Sequence, residues 1–429
     1  MSEPVAPPPP TARRAPFSDN PVVGQRGQRT QQRILDAALA VFGEEGFHRA
    51  SVGRITERAG CSRATFYQYF SDKDDVFTHL VGQVIRQVGA SVEALGTITP
   101  DQAGLDVVRA WIRRYADIFE RYGPVFHDFS AAAEKAETMG QLRDQAARVN
   151  ISRLHAKVQG SDLGDRELDA VLDLLLDATA RVYYNAEMLR RVDPRERSAE
   201  RIEAALADVV HRALFRTTAD VNLHAGHHPT MPEIAFDRSH AATVEGETPA
   251  ELSRAARSTL DSLLSAGVDV ILAQGYHDTR VDDLVAAAGL SHGAFYRYFT
   301  NKAHFTRMLV LEAMEPLSTT LALIPPDATR AQLRSWLRDY NEIQASEAAI
   351  IRIWVDATLH DPELRRDAAA ALDWGRRRLA RFLAERSFGD HDADAVVLMG
   401  VLDAFGGRRL EGSILDTTTS VIERGLLGR

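Results

Sequence analysis

The chain has 429 residues, of which 45% are hydrophobic and 26% charged, with a formal net charge of −9. This length predicts two or more domains with their own cores, and the composition excludes a collagen-like or wholly disordered chain. The single cysteine, Cys61, excludes an internal disulfide framework. No apolar run approaches the ~18 residues of a transmembrane helix, and the N-terminus lacks an apolar leader, so a cytoplasmic protein is expected.

Four segments follow one another along the chain. Residues 1–28 are rich in proline with interspersed arginine and are predicted to form a disordered arm, which either reaches a DNA minor groove or only solubilises the chain. Helical periodicity begins at about residue 29 and continues to about 215. Residues 217–250 lose that periodicity and are predicted to be a linker. Helical pattern then returns as far as the C-terminus, so the predicted fold class is all-α.

The chain contains an internal repeat. Residues 30–81 align without a gap on residues 259–310, and 17 of the 52 positions are identical. The identities gather in AGCSRATFYQYFSDK and AGLSHGAFYRYFTNK. Two of the four lysines of the chain, Lys73 and Lys302, occupy the same position of the two copies, which indicates a shared role.

Each copy is predicted to form three helices. In the first copy, an apolar stripe indicates a helix at about 29–45. Ser51 can cap a second short helix, Gly60 supplies a left-handed residue that ends it, and Ser62 caps a third helix. Two short helices joined by such a turn form a helix-turn-helix, whose second helix fits the DNA major groove. In the second copy Arg280 replaces Ser51, and Thr279 could cap one residue earlier.

The third helix carries the candidate DNA contacts. Phe66 and Phe70 are one turn apart and are expected to anchor the helix in the core of the module. Arg63 or Gln68 can bond to bases or phosphates, and Thr65 can offer a methyl group to thymine. The side chains left to face outward or sideways are Ser62, Arg63, Ala64, Thr65, Tyr67, Gln68 and Tyr69. The alternative interpretation is an ordinary helical hairpin with an aromatic core.

AGCSRATFYQYFSDKDDVF resembles the signature of the TetR family of bacterial transcription regulators, and AGLSHGAFYRYFTNKAHF is similar to it. The resemblance implies two tandem units, each a three-helix DNA-binding module followed by a helical regulatory body, and it implies a repressor released by a small apolar effector. The DNA-binding candidates in the first module are Ser51, Ser62, Arg63, Ala64, Thr65, Tyr67, Gln68, Tyr69 and Lys73. Those in the second are Ser291, His292, Gly293, Ala294, Tyr296, Arg297, Tyr298 and Lys302.

The expected domains are the first module at 29–75, the first body at 76–216, the second module at 251–304 and the second body at 305–429. Aromatic residues are frequent in both bodies and either fill the core or line a tunnel for an effector. The pocket candidates are Trp111, Tyr115, Phe119, Phe126, Tyr183, Trp336, Tyr340, Trp354, Trp374 and Phe405. The last helices of each body are expected to form a four-helix face between the halves, which makes one chain an intramolecular pseudo-dimer.

The two modules differ in charge. Residues 26–73 carry a net charge of +3 and residues 251–302 a net charge of −1, so the first module is expected to be the stronger phosphate binder. The recognition helices also differ in sequence, so the two half-sites of an operator need not be identical. A rival interpretation is a helical ligand sensor in which one or both DNA-binding modules are degenerate.

Other candidate sites carry less weight. His224, His227 and His228 are interpreted as solvated linker histidines. The cluster of Asp390, His391, Asp392 and Asp394 is interpreted as a helix start. Cys61 aligns with Leu290 and is predicted to be a structural thiol rather than a redox switch. No Gly-rich phosphate loop, nucleophile elbow or metal-ligand set is found, so neither an enzyme nor a cofactor is expected.

Overall fold

The computed structural model describes residues 24–47, 49–135, 137–190, 199–216, 253–325, 327–384, 386 and 388–429. The described residues are predominantly helical and contain no β-strand, only an isolated bridge between Ile98 and Val158. The all-α prediction is therefore confirmed. No helix among the described residues is both long and apolar enough to cross a membrane. The predicted linker, and the predicted arm up to residue 23, lie outside the described residues.

Seventeen α-helices and a terminal π-helix are described. In the first half they are α1 Gln25–Glu45, α2 Val52–Ala59, α3 Arg63–Tyr69, α4 Lys73–Glu93, α5 Gln102–Lys135, α6 Glu137–Lys157, α7 Asp165–Arg190 and α8 Ala199–Phe215. In the second half they are α9 Arg254–Gln274, α10 Val281–Ala287, α11 His292–Tyr298, α12 Lys302–Ala322, α13 Arg330–Ser346, α14 Ala348–His360, α15 Pro362–Leu383, α16 His391–Gly406 and α17 Gly412–Val421, with the π-helix Ile422–Leu427.

The first helix begins earlier than the sequence pattern predicts. It starts at Gln25 rather than at about residue 29. The added turn consists mainly of glutamine and arginine, which are good helix formers. The Thr30 hydroxyl donates to the Arg26 carbonyl, 3.1 Å away, within this turn. Residues 25–28, predicted as part of the arm, therefore belong to the first helix.

The described chain divides into two compact units. One comprises the residues up to Val84 together with Tyr122–Phe129, and the other comprises Ile85–Arg121 and Ser130–Arg429. The division falls within α5, which has non-helical backbone angles at Tyr122 and a proline at 124. A proline inside a helix removes a backbone hydrogen bond and causes a kink. The first unit extends past the expected boundary at residue 75 as far as Val84, and it also includes the segment of α5 after the kink.

The core of the first unit is apolar and aromatic. Ile34, Ile55, Phe66, Phe70 and Val76 are fully buried in it. A methyl group placed at Gly43 of α1 would lie 3.2 Å from the Pro124 ring, which shows how closely the segment after the kink approaches α1.

The second unit contains the second module and its body in one core. Phe295 and Phe299 of the module share a buried cluster with Phe305 of α12 and with Ile353 and Ala357 of α14. No boundary at residue 304 separates them. The module therefore cannot lose its packing without exposing apolar surface of the body.

Within the second unit, α7 and α8 pack against α16 and the C-terminal π-helix. A Cβ at Gly400 of α16 would lie 2.5 Å from Val182 Cγ2 and 3.0 Å from the backbone of α7. The helices α7 and α16 therefore approach each other closely at this glycine. Arg212 Nε donates to the Gly425 carbonyl at 2.7 Å, and Arg424 Nε donates to the Ala213 carbonyl at 2.8 Å.

Candidate nucleic-acid interface

The first module contains a helix-turn-helix with both short helices capped. Ser51 Oγ accepts a hydrogen bond from Arg54 N at 3.3 Å and opens α2. Gly60 ends that helix with φ of 60° and ψ of 42°, a left-handed conformation that favours glycine. Ser62 Oγ accepts from Thr65 N at 3.1 Å and opens α3. Ser51 and Ser62 thus satisfy backbone donors at the helix starts, so their hydroxyls serve the fold as well as any ligand.

The recognition helix α3 is anchored on one side and exposed on the other. Phe66 and Phe70 are fully buried, as their spacing predicts. Tyr67 is 43% exposed. Ser62, Arg63, Ala64 and Gln68 are also exposed, whereas Thr65 and Tyr69 are half-buried. The exposed face of α3 therefore carries hydroxyl, guanidinium and amide groups that can bond to bases and phosphates.

The second module repeats this architecture with altered details. Ser291 Oγ accepts from Ala294 N at 3.3 Å and opens α11, and Phe295 is fully buried. Tyr296 is 58% exposed. His292, Gly293 and Arg297 are exposed as well, and Ala294 is half-buried.

Two expectations for the second module need correction. Thr279 does not cap α10, because its buried hydroxyl donates to the Gly275 carbonyl at 2.8 Å. The Asp283 carboxylate instead accepts from Arg280 N at 2.8 Å, so the helix start is closed from within α10. Tyr298 is only 5% exposed and packs in the module's core. Its ring is therefore withdrawn from the exposed face of α11, whereas the aligned Tyr69 is half-buried.

The paired lysines tie the module together. Lys73 Nζ donates to the Phe47 carbonyl at 3.0 Å and lies 4.8 Å from the centre of the Phe47 ring. Lys302 Nζ bonds to the carbonyls of Tyr276 and Thr279, and lies 4.2 Å from the Tyr276 ring centre. Both lysines are DNA-binding candidates from the sequence. In the structure each ammonium group joins the start of the helix after the recognition helix to the loop after the first helix.

Ion pairs occupy several charged groups of the first module. Arg58 bonds to Glu44 at 2.8 Å, and Arg54 bonds to Glu45 and Glu57 at 2.8 and 2.9 Å. The hydrogen bond from Arg58 holds the pKa of Glu44 below its usual range. These acidic side chains are therefore neutralised locally by arginine, which leaves Arg63 as an exposed cation on the recognition helix.

Comparison with known proteins agrees with this geometry. Residues 34–80 and 263–307 match the model of the amino-terminal region of bacterial regulatory proteins of the tetR family. The two modules are thus similar to this region of the TetR family. The family's amino-terminal region is present twice, as a tandem duplication.

The similar curated proteins include three regulators. The HTH-type transcriptional regulator AcrR of Shigella flexneri is 41% identical over 56 residues, which is 13% of this chain and 26% of that protein. The fatty acid metabolism regulator protein of Bacillus subtilis (strain 168) is 33% identical over 69 residues, 15% of this chain and 36% of that protein. The regulator BetI of Yersinia pestis (strain Pestoides F) is 36% identical over 73 residues, 17% and 36% of the two chains. The similarity thus spans about a quarter to a third of each relative.

The helical bodies bury most of the aromatic pocket candidates. Trp111, Tyr115, Phe119, Tyr183, Trp336, Tyr340 and Phe405 are all less than 10% exposed. Tyr183 stacks on Tyr115 and Phe119, with ring centres 5.7 and 5.5 Å apart, and its hydroxyl donates to the Ile112 carbonyl at 3.0 Å. Burial raises the pKa of Tyr115, Tyr183 and Tyr340 above the usual range for tyrosine. These side chains therefore fill the core, which is one of the two roles that the sequence analysis considers for them.

The remaining pocket candidates lie elsewhere. Trp354 and Trp374 are half-buried, and Phe126 belongs to the first unit with the segment after the kink. Trp111 also lines a small cavity of about 30 Å³ together with Leu95, Ile98 and Val108. That volume holds about one water molecule, so this cavity offers no room for an effector as it stands.

A larger cleft lies between α4 and α6 in the first body. Its volume is about 570 Å³. None of the aromatic candidates lines it, because α4 and α6 present aliphatic and polar residues there. The lining residues are Ile85, Arg86, Gly89, Ala90, Glu93, Leu142, Gln145, Ala146, Val149, Asn150 and Arg153. Leu142 and Val149 are 39% and 45% exposed. These apolar residues, seven positions apart on an otherwise polar helix, are the sequence feature that could have indicated the cleft.

The acidic cluster at the start of α16 is held by arginines. Asp390 accepts from Ala393 N as the helix cap and pairs with Arg201 at 2.8 Å, and Asp394 pairs with Arg386. Across the described residues, no group of three or more His, Cys, Asp or Glu side chains could hold a metal ion. The linker histidines lie outside those residues. Burial raises the pKa of the half-buried Cys61 thiol, which favours the protonated form over the reactive thiolate.

Proposed function

We propose that this chain is a DNA-binding transcription regulator that contacts its operator with both modules. The observation that carries the proposal is that two recognition helices, each opened by a capping serine and anchored by buried phenylalanines, expose polar faces of similar design. The match of both modules to the TetR-family amino-terminal region supports it. The named relatives that are transcriptional regulators support it further.

The two modules of one chain take the place of two subunits in this proposal. The close packing of α7 and α8 against α16 and the C-terminal π-helix supports an intramolecular pseudo-dimer, because it joins the last helices of the two bodies. A helix-turn-helix dimer reads two half-sites one helical turn apart or a multiple of that spacing. One chain should therefore protect two such half-sites.

The exposed residues of both recognition helices are the proposed contacts. In the first module these are Arg63, Tyr67 and Gln68, with Ala64, Thr65 and the cap hydroxyls of Ser51 and Ser62 at the edge. In the second they are His292, Tyr296 and Arg297, with Ser291, Gly293 and Ala294. Lys73, Lys302, Tyr69 and Tyr298 act mainly through the packing of the modules.

The binding test uses a selection from a pool of random duplexes with the full chain, followed by DNase footprinting. The proposal predicts a protected site with two half-sites and an affinity that falls steeply with salt, because bound phosphates release counterions. Tyr67→Phe and Tyr296→Phe should each weaken one half of the footprint. The exposed Asp269→Asn on α9 is the matched surface control. Recovery of no enriched sequence by the folded chain would favour the rival function, a ligand sensor without DNA binding, which the net charge of −1 on the second module supports.

Repression and its release by a small apolar effector are the finer part of the proposal. The cleft between α4 and α6 is the proposed effector site, since aliphatic residues line it and Arg86 and Arg153 lie at it. It suits a ligand with an apolar body and an acidic or polar group. Helix α4 begins at Lys73 in the first module and also lines the cleft, so a change in α4 offers a route from effector to DNA.

An anionic apolar dye, 1-anilinonaphthalene-8-sulfonate, tests the cleft. Ala146→Trp should fill it and abolish the dye fluorescence that the wild type shows, while Ala146→Ser should leave the fluorescence near the wild-type value. Equal fluorescence from all three proteins would place the dye elsewhere and remove the support for this cleft as the effector site.

A further inference from the structure

Among the positions at which the two helix-turn-helix motifs differ, two are neighbours in space and change charge together. The repeat aligns Gly53 with Asp282, near the start of the motif's first helix, and Arg63 with His292, the first residue of its recognition helix. Arg63, Asp282 and His292 are exposed, and Gly53 is half-buried. The substitution exchanges a glycine and a cation for a carboxylate and a histidine.

In the first module the arginine lies against bare backbone. A Cβ placed at Gly53 would be 3.0 Å from Arg63 Nη2. The guanidinium thus lies where a side chain at position 53 would otherwise stand. With no carboxylate at that position, the pair contributes one full positive charge to the start of the recognition helix.

In the second module a carboxylate holds the histidine. Asp282 Oδ1 lies 2.8 Å from His292 Nε2, and their side chains are 71% and 56% exposed. The His292 ring also stacks on Tyr296, with ring centres 6.4 Å apart and planes at 25°. Asp282 and Tyr296 therefore fix the imidazole between them, and Nε2 is turned towards the carboxylate.

We infer that Asp282 and His292 make the second module the weaker and differently reading half of the DNA-binding surface. The inference rests on the proposed function and assigns the asymmetry to this pair. Asp282 brings a carboxylate to this pair, whereas the aligned Gly53 and Arg63 carry a charge of +1. A carboxylate at the start of a recognition helix repels phosphates, and it can accept a hydrogen bond from cytosine N4.

Asp282 also lies in the first turn of α10, where an acidic residue stabilises a helix through its dipole. That role would leave DNA binding unchanged. The two roles are separable because Asp283 already accepts the hydrogen bond from Arg280 N at the same helix start.

Reciprocal variants exploit the internal repeat. The operator is the duplex selected by the wild-type full chain, and its second half-site is the one whose protection Tyr296→Phe weakens. Asp282→Asn should raise the affinity for a duplex with only that half-site intact about fivefold, the effect of one removed charge repulsion at short range in water. Gly53→Asp should lower the affinity for the first half-site by a similar factor. Asp269→Asn, which removes an exposed carboxylate from α9 of the same module, should change neither.

Different outcomes would overturn the inference alone or the proposed function together with it. A wild type that binds a two-part site, with Asp282→Asn and Asp269→Asn both at wild-type affinity, overturns the inference and leaves the proposed function standing. A folded wild type that selects no sequence overturns both. A repeat selection with Asp282→Asn should, in addition, relax the base preference in the second half-site only, and an unchanged preference there would restrict the role of Asp282 to charge.

Discussion

The two DNA-binding modules share a sequence skeleton but are attached to their surroundings differently. The first forms a compact unit with the segment of α5 after the kink. The second has no boundary with its body, because its phenylalanines share a core with α14. Duplication has therefore preserved the packing inside the module while the contacts outside it have changed.

Tyr276 shows how a single replacement changes the attachment. Its counterpart Phe47 has no hydroxyl, whereas the Tyr276 hydroxyl bonds to Asp361 at 3.1 Å. The Tyr276 backbone N donates to Asp356 at 2.6 Å. The ring still lies beneath the paired lysine in both copies. The contact with the paired lysine is thus present in both copies, whereas the Tyr276 hydroxyl adds a bond to Asp361 that a phenylalanine cannot make.

The largest expected effect comes from removing a core anchor in each module. Phe66→Ala and Phe295→Ala should each cost about 3–5 kcal/mol, because both side chains are fully buried. Hydrogen exchange measured by mass spectrometry should show that Phe66→Ala loosens the first unit alone. Phe295→Ala should loosen α14 as well as the second module. If both substitutions loosened only their own module, or if both also loosened a helix of the adjoining body, the proposed difference in attachment would be contradicted.

The paired lysines provide the next test. Lys302→Met should lower the free energy of unfolding by about 1.5–3 kcal/mol, the range for hydrogen bonds to charged groups. The desolvation of Lys302 lowers its pKa, which shows that its ammonium is partly withdrawn from water. Lys73→Met is the matched variant in the first module. Denaturant titration should show a loss of stability for both variants. A loss of DNA affinity without any loss of stability would instead indicate that the lysines contact phosphates directly.

Close packing of α7 and α16 leads to a third prediction. Gly400→Ala should destabilise the second unit by about 1–3 kcal/mol, because the added methyl group overlaps Val182. Gly375→Ala is the control, since nothing lies within 4 Å of a Cβ there. Thermal unfolding should place Gly400→Ala well below the wild type and Gly375→Ala at or above it. A neutral Gly400→Ala would mean that the two bodies are not held together at this point.

Acid should distinguish the modules by a smaller amount. Thr300 N donates to His304 Nδ1 at 3.2 Å, where the first module has Ser71 N donating to Asp75 at 2.8 Å. Burial lowers the pKa of His304, so the folded second module favours the neutral imidazole. The unfolded chain takes up a proton first as the pH falls below about 6.5, so this contribution is present above that pH and is lost below it.

Melting temperatures at pH 7.5 and pH 5.5 test this difference. The wild type should lose stability at the lower pH, and His304→Asp, which copies the first module, should lose less. An equal loss in both proteins would assign the acid sensitivity to other groups.

Much of the module was predictable because its determinants are local. Ser62, Gly60 and the spacing of Phe66 and Phe70 specify a cap, a turn and a buried face within a few residues. The internal repeat predicted the second copy. These features need no knowledge of the rest of the chain.

What the sequence could not predict depends on distant contacts. Tyr69 and Tyr298 occupy the same position of the same motif, yet their burial differs. The lysines bond to carbonyls about 25 residues earlier in the chain, which periodicity does not report. Aromatic content does not predict the cleft between α4 and α6, because aliphatic and polar residues line it and most of the aromatic candidates are buried in the core.

The most direct test of the account is the number of chains on one operator. Mass photometry of the full chain with the selected duplex, combined with its footprint, measures this number and the extent of protection together. The account predicts one chain per duplex and protection of two half-sites. Two chains on a duplex with a single module engaged in each would contradict it.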